Sequence, residues 1–131
     1  MKCKWILRGR LVRGSGTAAQ FTQLDWVQRQ CRDKLGFAPF PGTLNLVIGS
    51  DCRSVLAEMK AADAIELIPD ENEGCAGKVF PLSIEGIRGA IVFPDPRVNI
   101  HDENVVEVIA PVGLRARLGL TDGQVITLLV D

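Results

Sequence analysis

The sequence predicts a small, mainly β protein folded as a compact barrel. Three observations carry that expectation. Short segments rich in Val, Ile and Leu recur along the chain, Gly and Pro punctuate them, and no βαβ alternation is visible. Lys4 to Arg13 reads as the first strand, ending in the small-residue loop Gly14-Ser15-Gly16-Thr17. Thr22, with Asp25 three residues later, has the spacing of a capping box at a helix N-terminus. Leu24, Val27, Cys31 and Leu35 then fall on one helical stripe, and Gly36 is placed to close it in a left-handed cap. Thr43 to Ile48 is a strand, followed by a short amphipathic helix carrying Val55, Leu56 and Met59. Ala64 to Pro69 reads as strand and Asp70 to Gly74 as an acidic turn. Lys78 to Ile84 is strand again, where Pro81 argues for an edge or a bulge. Ile87 to Phe93 and Val105 to Ile109 are β-like and flank a polar loop from Pro94 to Asn104. Gly113 to Leu118 suits a short helix capped by Gly119, and Asp122-Gly123 turns the chain into a last strand, Gln124 to Val130. That makes seven short strands with two or three small helices.

At 131 residues the chain has the size of one domain, expected to span 1–131, and it is long enough to bury a core. Net charge is −1, but residues 1–34 hold eight Lys/Arg against Asp25 and Asp33. Lys2, Lys4, Arg8 and Arg10 share even parity, so one strand would carry them as a basic stripe. Such a stripe attracts phosphates, or it is simply a solvated, edge-protecting face. Cys3, Cys31, Cys52 and Cys75 never form a CxxC pair, and His101 is the sole histidine, which argues against structural zinc. No apolar run reaches the length of a membrane span or a signal sequence. A reduced, cytoplasmic protein, monomeric and without a membrane partner, is the expectation.

Gly42-Thr43-Leu44-Asn45-Leu46 is the most informative stretch. On an extended strand Thr43 and Asn45 share one face while Leu44 and Leu46 point into a core. Two neutral oxygen donors suit Mg2+ when a phosphate supplies the negative charge. Spacing alone equally describes a half-buried strand with two polar residues on its wet side. No GxxxxGK[ST] is present, so a Walker-type nucleotide site is not expected.

The run Leu35-Gly36-Phe37-Ala38-Pro39-Phe40-Pro41-Gly42-Thr43-Leu44-Asn45-Leu46 resembles the LGFxPxxGTLNL signature of the archaeal CTP-dependent riboflavin kinases (DUF120). A second run resembles the same family in the same order: Gly89-Ala90-Ile91-Val92, Val106-Glu107-Val108-Ile109-Ala110-Pro111, Leu114-Arg115, Leu118-Gly119-Leu120 and Asp122-Gly123. The likeness is collinear from about Gly9 to Val130 and weakest between roughly 50 and 80. It implies a six-stranded cradle-loop (RIFT-type) β-barrel, the catalytic module without the winged-helix domain that many relatives carry. The implied activity is phosphoryl transfer from CTP to the riboflavin 5'-hydroxyl, giving FMN and CDP, with Mg2+ as cofactor. Thr43 and Asn45 match the metal ligands. Gly14, Ser15, Gly16, Thr17, Ala18 and Ala19, with Val112, Gly113, Leu114 and Arg115, match the nucleotide-binding segments. Asn99 and Glu107 match the flavin contacts; Arg97 competes with Asn99 because the loop is about two residues longer here. Glu107 is also a candidate proton acceptor, or else the exposed member of a half-buried strand. His101 reads as a loop residue.

Several positions depart from the family pattern. Ala18, Ala19 and Gln20 stand where a third Gly and a larger polar or aromatic pair are usual, and Ala at a positive φ would strain the cradle. Gly113 replaces a Lys. Two other readings therefore stand beside the kinase: a flavin- or nucleotide-binding relative without transfer, and a DNA-binding barrel. The latter rests on Leu118-Gly119-Leu120-Thr121-Asp122-Gly123-Gln124-Val125, which resembles AbrB-type barrels, though nucleic acid is the least expected partner.

Overall fold

β1 (Trp5–Val12) alternates buried and exposed residues along its length, so one face enters a core and the other meets solvent. It is followed in chain order by β2 (Leu44–Ile48), β3 (Ile65–Leu67), β4 (Gly77–Ile84), β5 (Ile87–Pro94), β6 (Val105–Ile109) and β7 (Val125–Val130). The computed structural model describes residues 3–14, 18–69, 77–94 and 104–131. The expected acidic turn, the loop after Pro94, and Cys75 lie outside the described residues.

All pairings are antiparallel, in the order β3-β4-β5-β6-β2-β1-β7, and β4 also pairs with β7. Six strands thus close into a barrel, with β3 as an appendage on β4. The closing seam is short, with Leu82 opposite Val130 and Ser83 opposite Leu129. Pro81 lies between the part of β4 paired with β3 and the part paired with β7, so its missing N–H falls where that strand changes neighbours.

Two apolar clusters follow from strand alternation. Inward residues, among them Leu7, Leu11, Leu46, Leu82, Ile91, Val108 and Leu128, fill the barrel. On the outer side, α2 (Asp25–Leu35) lays Val27 and Cys31 over Leu67, Val79, Ala90, Val92 and Ile109. Gly36 ends α2 at φ 84° with its N–H on the Cys31 carbonyl, as its position predicts. α1 (Ala18–Thr22) precedes it, α3 (Arg53–Ala61) follows β2, and α4 (Leu114–Arg117) follows β6.

The capping box at Thr22 does not form, and this corrects the sequence reading. Thr22 ends α1, is fully buried, and its hydroxyl donates to the Ala19 carbonyl while accepting the Gly42 N–H at 3.0 Å. Leu24, half exposed, occupies the N-cap of α2 without a side-chain bond. A tertiary partner has taken the oxygen that local spacing assigned to the helix.

Burial between α2 and the sheet pushes the Cys31 thiol up to about 11, against the opposing pull of Lys34. A group held neutral in this way stabilises the fold fully below the ordinary thiol range, and the contribution is lost as pH climbs through about 11. At pH 8, Cys31 is expected to resist a thiol reagent that readily modifies exposed Cys3. Equal rates for the two, read by peptide mass, would contradict the packing of α2.

Candidate active site

β2 and β6 carry the polar cluster. In their ladder Asn45 stands opposite Glu107, and Glu107 stands opposite Val92 of β5. Directly opposed residues share a sheet face, so Asn45 and Glu107 both leave the barrel interior that Leu44, Leu46, Val106 and Val108 fill. Thr43 precedes β2, and its hydroxyl donates to Glu107 Oε1 at 2.9 Å. The Asn45 amide nitrogen donates to the Thr43 carbonyl at 3.3 Å and reaches the Thr43 hydroxyl at 3.4 Å. The predicted pair therefore converges, and Glu107 joins it as a half-buried partner instead of standing alone on the wet face.

Asn45 is 6% exposed, and its Oδ1 is buried with no hydrogen-bond partner among the described residues. An orphaned acceptor of this kind costs about 1–3 kcal/mol, so its retention asks for a reason. A hard cation is one, since amide and hydroxyl oxygens are the donors such an ion takes. The residues fit Mg2+ in that respect. Among the described residues no group of three or more His, Cys, Asp or Glu could hold a metal by itself. Gly14 packs on the Asn45 amide so closely that a Cβ there would lie 3.0 Å from Cγ. The segment just after β1 thus roofs the cluster.

A cleft of about 250 Å3 opens beside Thr43, lined by residues 40–44 on one side and by Val108, Ala110 and residues 112–116 on the other. The two segments that carry the family resemblance are its two walls. Leu114 is also packed into the barrel core, whereas Arg115 is exposed. The Arg115 guanidinium pairs with Asp122 Oδ1 at 2.8 Å, and Arg13 lies 3.9 Å from Asp122 Oδ2. Backbone bonds from Leu120 N–H to the Arg115 carbonyl and from Gly123 N–H to the Leu11 carbonyl hold that turn in place.

Ser15, Gly16, Thr17, Asn99, Arg97 and His101 lie outside the described residues. Ala18 and Ala19 begin α1, and Glu85 alone among described non-glycine residues has a positive φ. The backbone strain expected at Ala18 and Ala19 is therefore absent: the chain meets that position as helix. Sequence reasoning missed Asp122 as the partner of Arg115 and Phe40 as a cleft residue. Only proximity in the fold reveals the first. An aromatic between two prolines was a legible signal for the second.

The family model described as CTP-dep_RFKase, domain of unknown function DUF120, matches residues 11–130. The chain belongs to that family. A riboflavin kinase of Methanocella arvoryzae is 39% identical over 91% of this chain and 54% of its own length. Those of Pyrobaculum arsenaticum and Ignicoccus hospitalis are 37% and 35% identical, over 92% and 95% of this chain and 58% and 70% of theirs. The chain thus spans little more than half the length of the first two relatives. No helix among the described residues is long and apolar enough to cross a membrane.

Proposed function

We propose that this chain phosphorylates riboflavin at the 5'-hydroxyl with CTP as donor and Mg2+ as cofactor, giving FMN and CDP. The observation that carries the reading is the buried, partnerless Asn45 Oδ1 beside a Thr43 hydroxyl whose proton is committed to Glu107. With the Asn45 amide nitrogen on one lone pair at 3.4 Å, that commitment leaves the other Thr43 oxygen lone pair available to a cation. Family membership and the riboflavin kinases among the relatives support the reaction, and the family's name supports CTP.

Thr43 and Asn45 would hold the metal. When bound, Mg2+ offsets charge on the donor's phosphate oxygens as the phosphoryl group moves. The segments Gly14 to Ala19 and Val112 to Arg115 bind the nucleotide in this reading. Asn99 and Glu107 hold the flavin. Glu107 already accepts one hydroxyl proton, from Thr43, and an acceptor so placed can also orient a ribityl hydroxyl toward the donor. Little more is required, because loose phosphoryl-transfer transition states depend on positioning and electrostatics more than on a base.

Protein, riboflavin and Mg2+ incubated with CTP or with ATP, followed by chromatography of the flavins, test the proposal. FMN is expected with CTP and not with ATP. A folded protein that binds riboflavin yet makes no FMN with either donor would instead be a binding relative.

A further inference from the structure

Phe40 is 49% exposed, and it is the one aromatic among the described residues that line the cleft. Water contact over half of so large an apolar ring is unfavourable, and the local structure does nothing to let the ring retreat. Phe40 N–H is bound to the Ala110 carbonyl at 2.8 Å. The preceding Pro39 carbonyl accepts from the side-chain amides of both Gln23, at 3.1 Å, and Gln28, at 3.0 Å. Pro41 follows, so prolines restrict φ on both sides. The backbone that carries the ring is thus held in place.

The ring's front is fixed by Gly113. A Cβ on Gly113 would stand 3.0 Å from Phe40 Cε2 and 3.3 Å from Cζ. Any residue larger than glycine at 113 requires the ring to move. The glycine is therefore matched to the ring, which leans over the segment leading into Arg115. A rigid, half-exposed aromatic face with a guanidinium at the same rim presents what a planar heterocycle with polar edges needs.

We propose that Phe40 is the stacking platform for the nucleobase of the phosphate donor and that Gly113 is small in order to seat it. This rests on the kinase reading above and adds to it the residue that grips the base. The base lies on the Phe40 ring over Gly113, and the phosphates run toward Thr43 along the same wall of the cleft. The Gly113 that departs from the family pattern then exchanges a cationic contact for an aromatic one.

Isothermal titration of the full chain with CDP and Mg2+, with inorganic triphosphate and Mg2+, and with riboflavin separates the possibilities. Phe40→Ala is expected to weaken CDP about tenfold, the loss of one base–aromatic stack, and to leave triphosphate and riboflavin within about twofold. Phe40→Tyr retains the wild-type CDP affinity. Gly113→Ala, which displaces the ring without removing it, weakens CDP as well. Unchanged CDP binding in Phe40→Ala, an equal loss for triphosphate, or a loss confined to riboflavin overturns the proposal. If the wild-type chain forms FMN from CTP in any of these cases, the kinase reading survives and only the role of Phe40 fails. A wild-type chain that neither binds CDP nor forms FMN overturns both.

Discussion

Replacing Asn45 by leucine is expected to yield a folded barrel, about as stable as the parent, in which the proposed phosphoryl transfer is nearly lost. Leucine has nearly the shape of asparagine, and among the described residues the amide it replaces makes two long bonds, both to Thr43. The same change removes the buried Oδ1 that has no partner. Removing the unsatisfied acceptor offsets the loss of a long donor bond to the Thr43 carbonyl, so the net change is expected to stay within ~1 kcal/mol. The effect on transfer is far larger. If Asn45 holds the metal as proposed, the clamp would supply several kcal/mol of transition-state stabilisation, and its loss would lower kcat/KM by roughly a thousandfold. Thermal melts and FMN formation, measured on one preparation, check both halves. An Asn45→Leu variant of normal activity would remove Asn45 from the metal site. One that is inactive because it is unfolded would show that the long bonds matter more than their geometry suggests.

Gly89→Ala is expected to cost marked stability, because among the described glycines it is the one whose added Cβ would meet backbone at under 3.0 Å. A Cβ on Gly89 would lie 2.6 Å from the Ile109 carbonyl oxygen, and its neighbour Ala90 pairs with Ile109 across the β5–β6 ladder. The clash is with backbone, so no rotamer change relieves it. The strands must separate, where Ile109 also belongs to the cluster beneath α2. Overpacking of this kind costs about 1–3 kcal/mol, and at the upper end lowers Tm by roughly 10 °C. If Glu107 on β6 holds the flavin as proposed, the variant's affinity for riboflavin falls along with its melting temperature. A Tm indistinguishable from wild type would mean that β5 and β6 part easily at this point.

What the sequence made legible was periodic or local. The two-residue repeat put Thr43 and Asn45 on one face and Leu44 and Leu46 on the other, and the barrel does so. Gly36 and Gly119 were placed at helix ends by their neighbours alone, and both have positive φ. The remainder depends on contacts between distant residues. Thr22 has the spacing of a cap, but the Gly42 N–H, twenty residues away, claims its oxygen. Glu107 could be read as solvated or as functional until the β2–β6 register set it beside Asn45 and Thr43. Arg115 read as a cation on a short helix, whereas Asp122 already neutralises it. In each case the deciding partner lies on another element.

β1 has two neighbours that arrive at very different times. β2 follows it within a few dozen residues, but β7, which pairs with it from Trp5 opposite Val130 to Arg10 opposite Val125, is at the far end of the sequence. During synthesis from the N-terminus, one edge of β1 therefore waits, with its backbone amides unpaired, until β7 has emerged. Long-range closure of this kind is slow, on the order of milliseconds to seconds in all-β proteins, and an open strand edge is a template for pairing with other chains. Arg8 and Arg10 lie on the exposed face of that strand. Their charge is well placed to keep nascent copies apart while the barrel is still a curved, unfinished sheet.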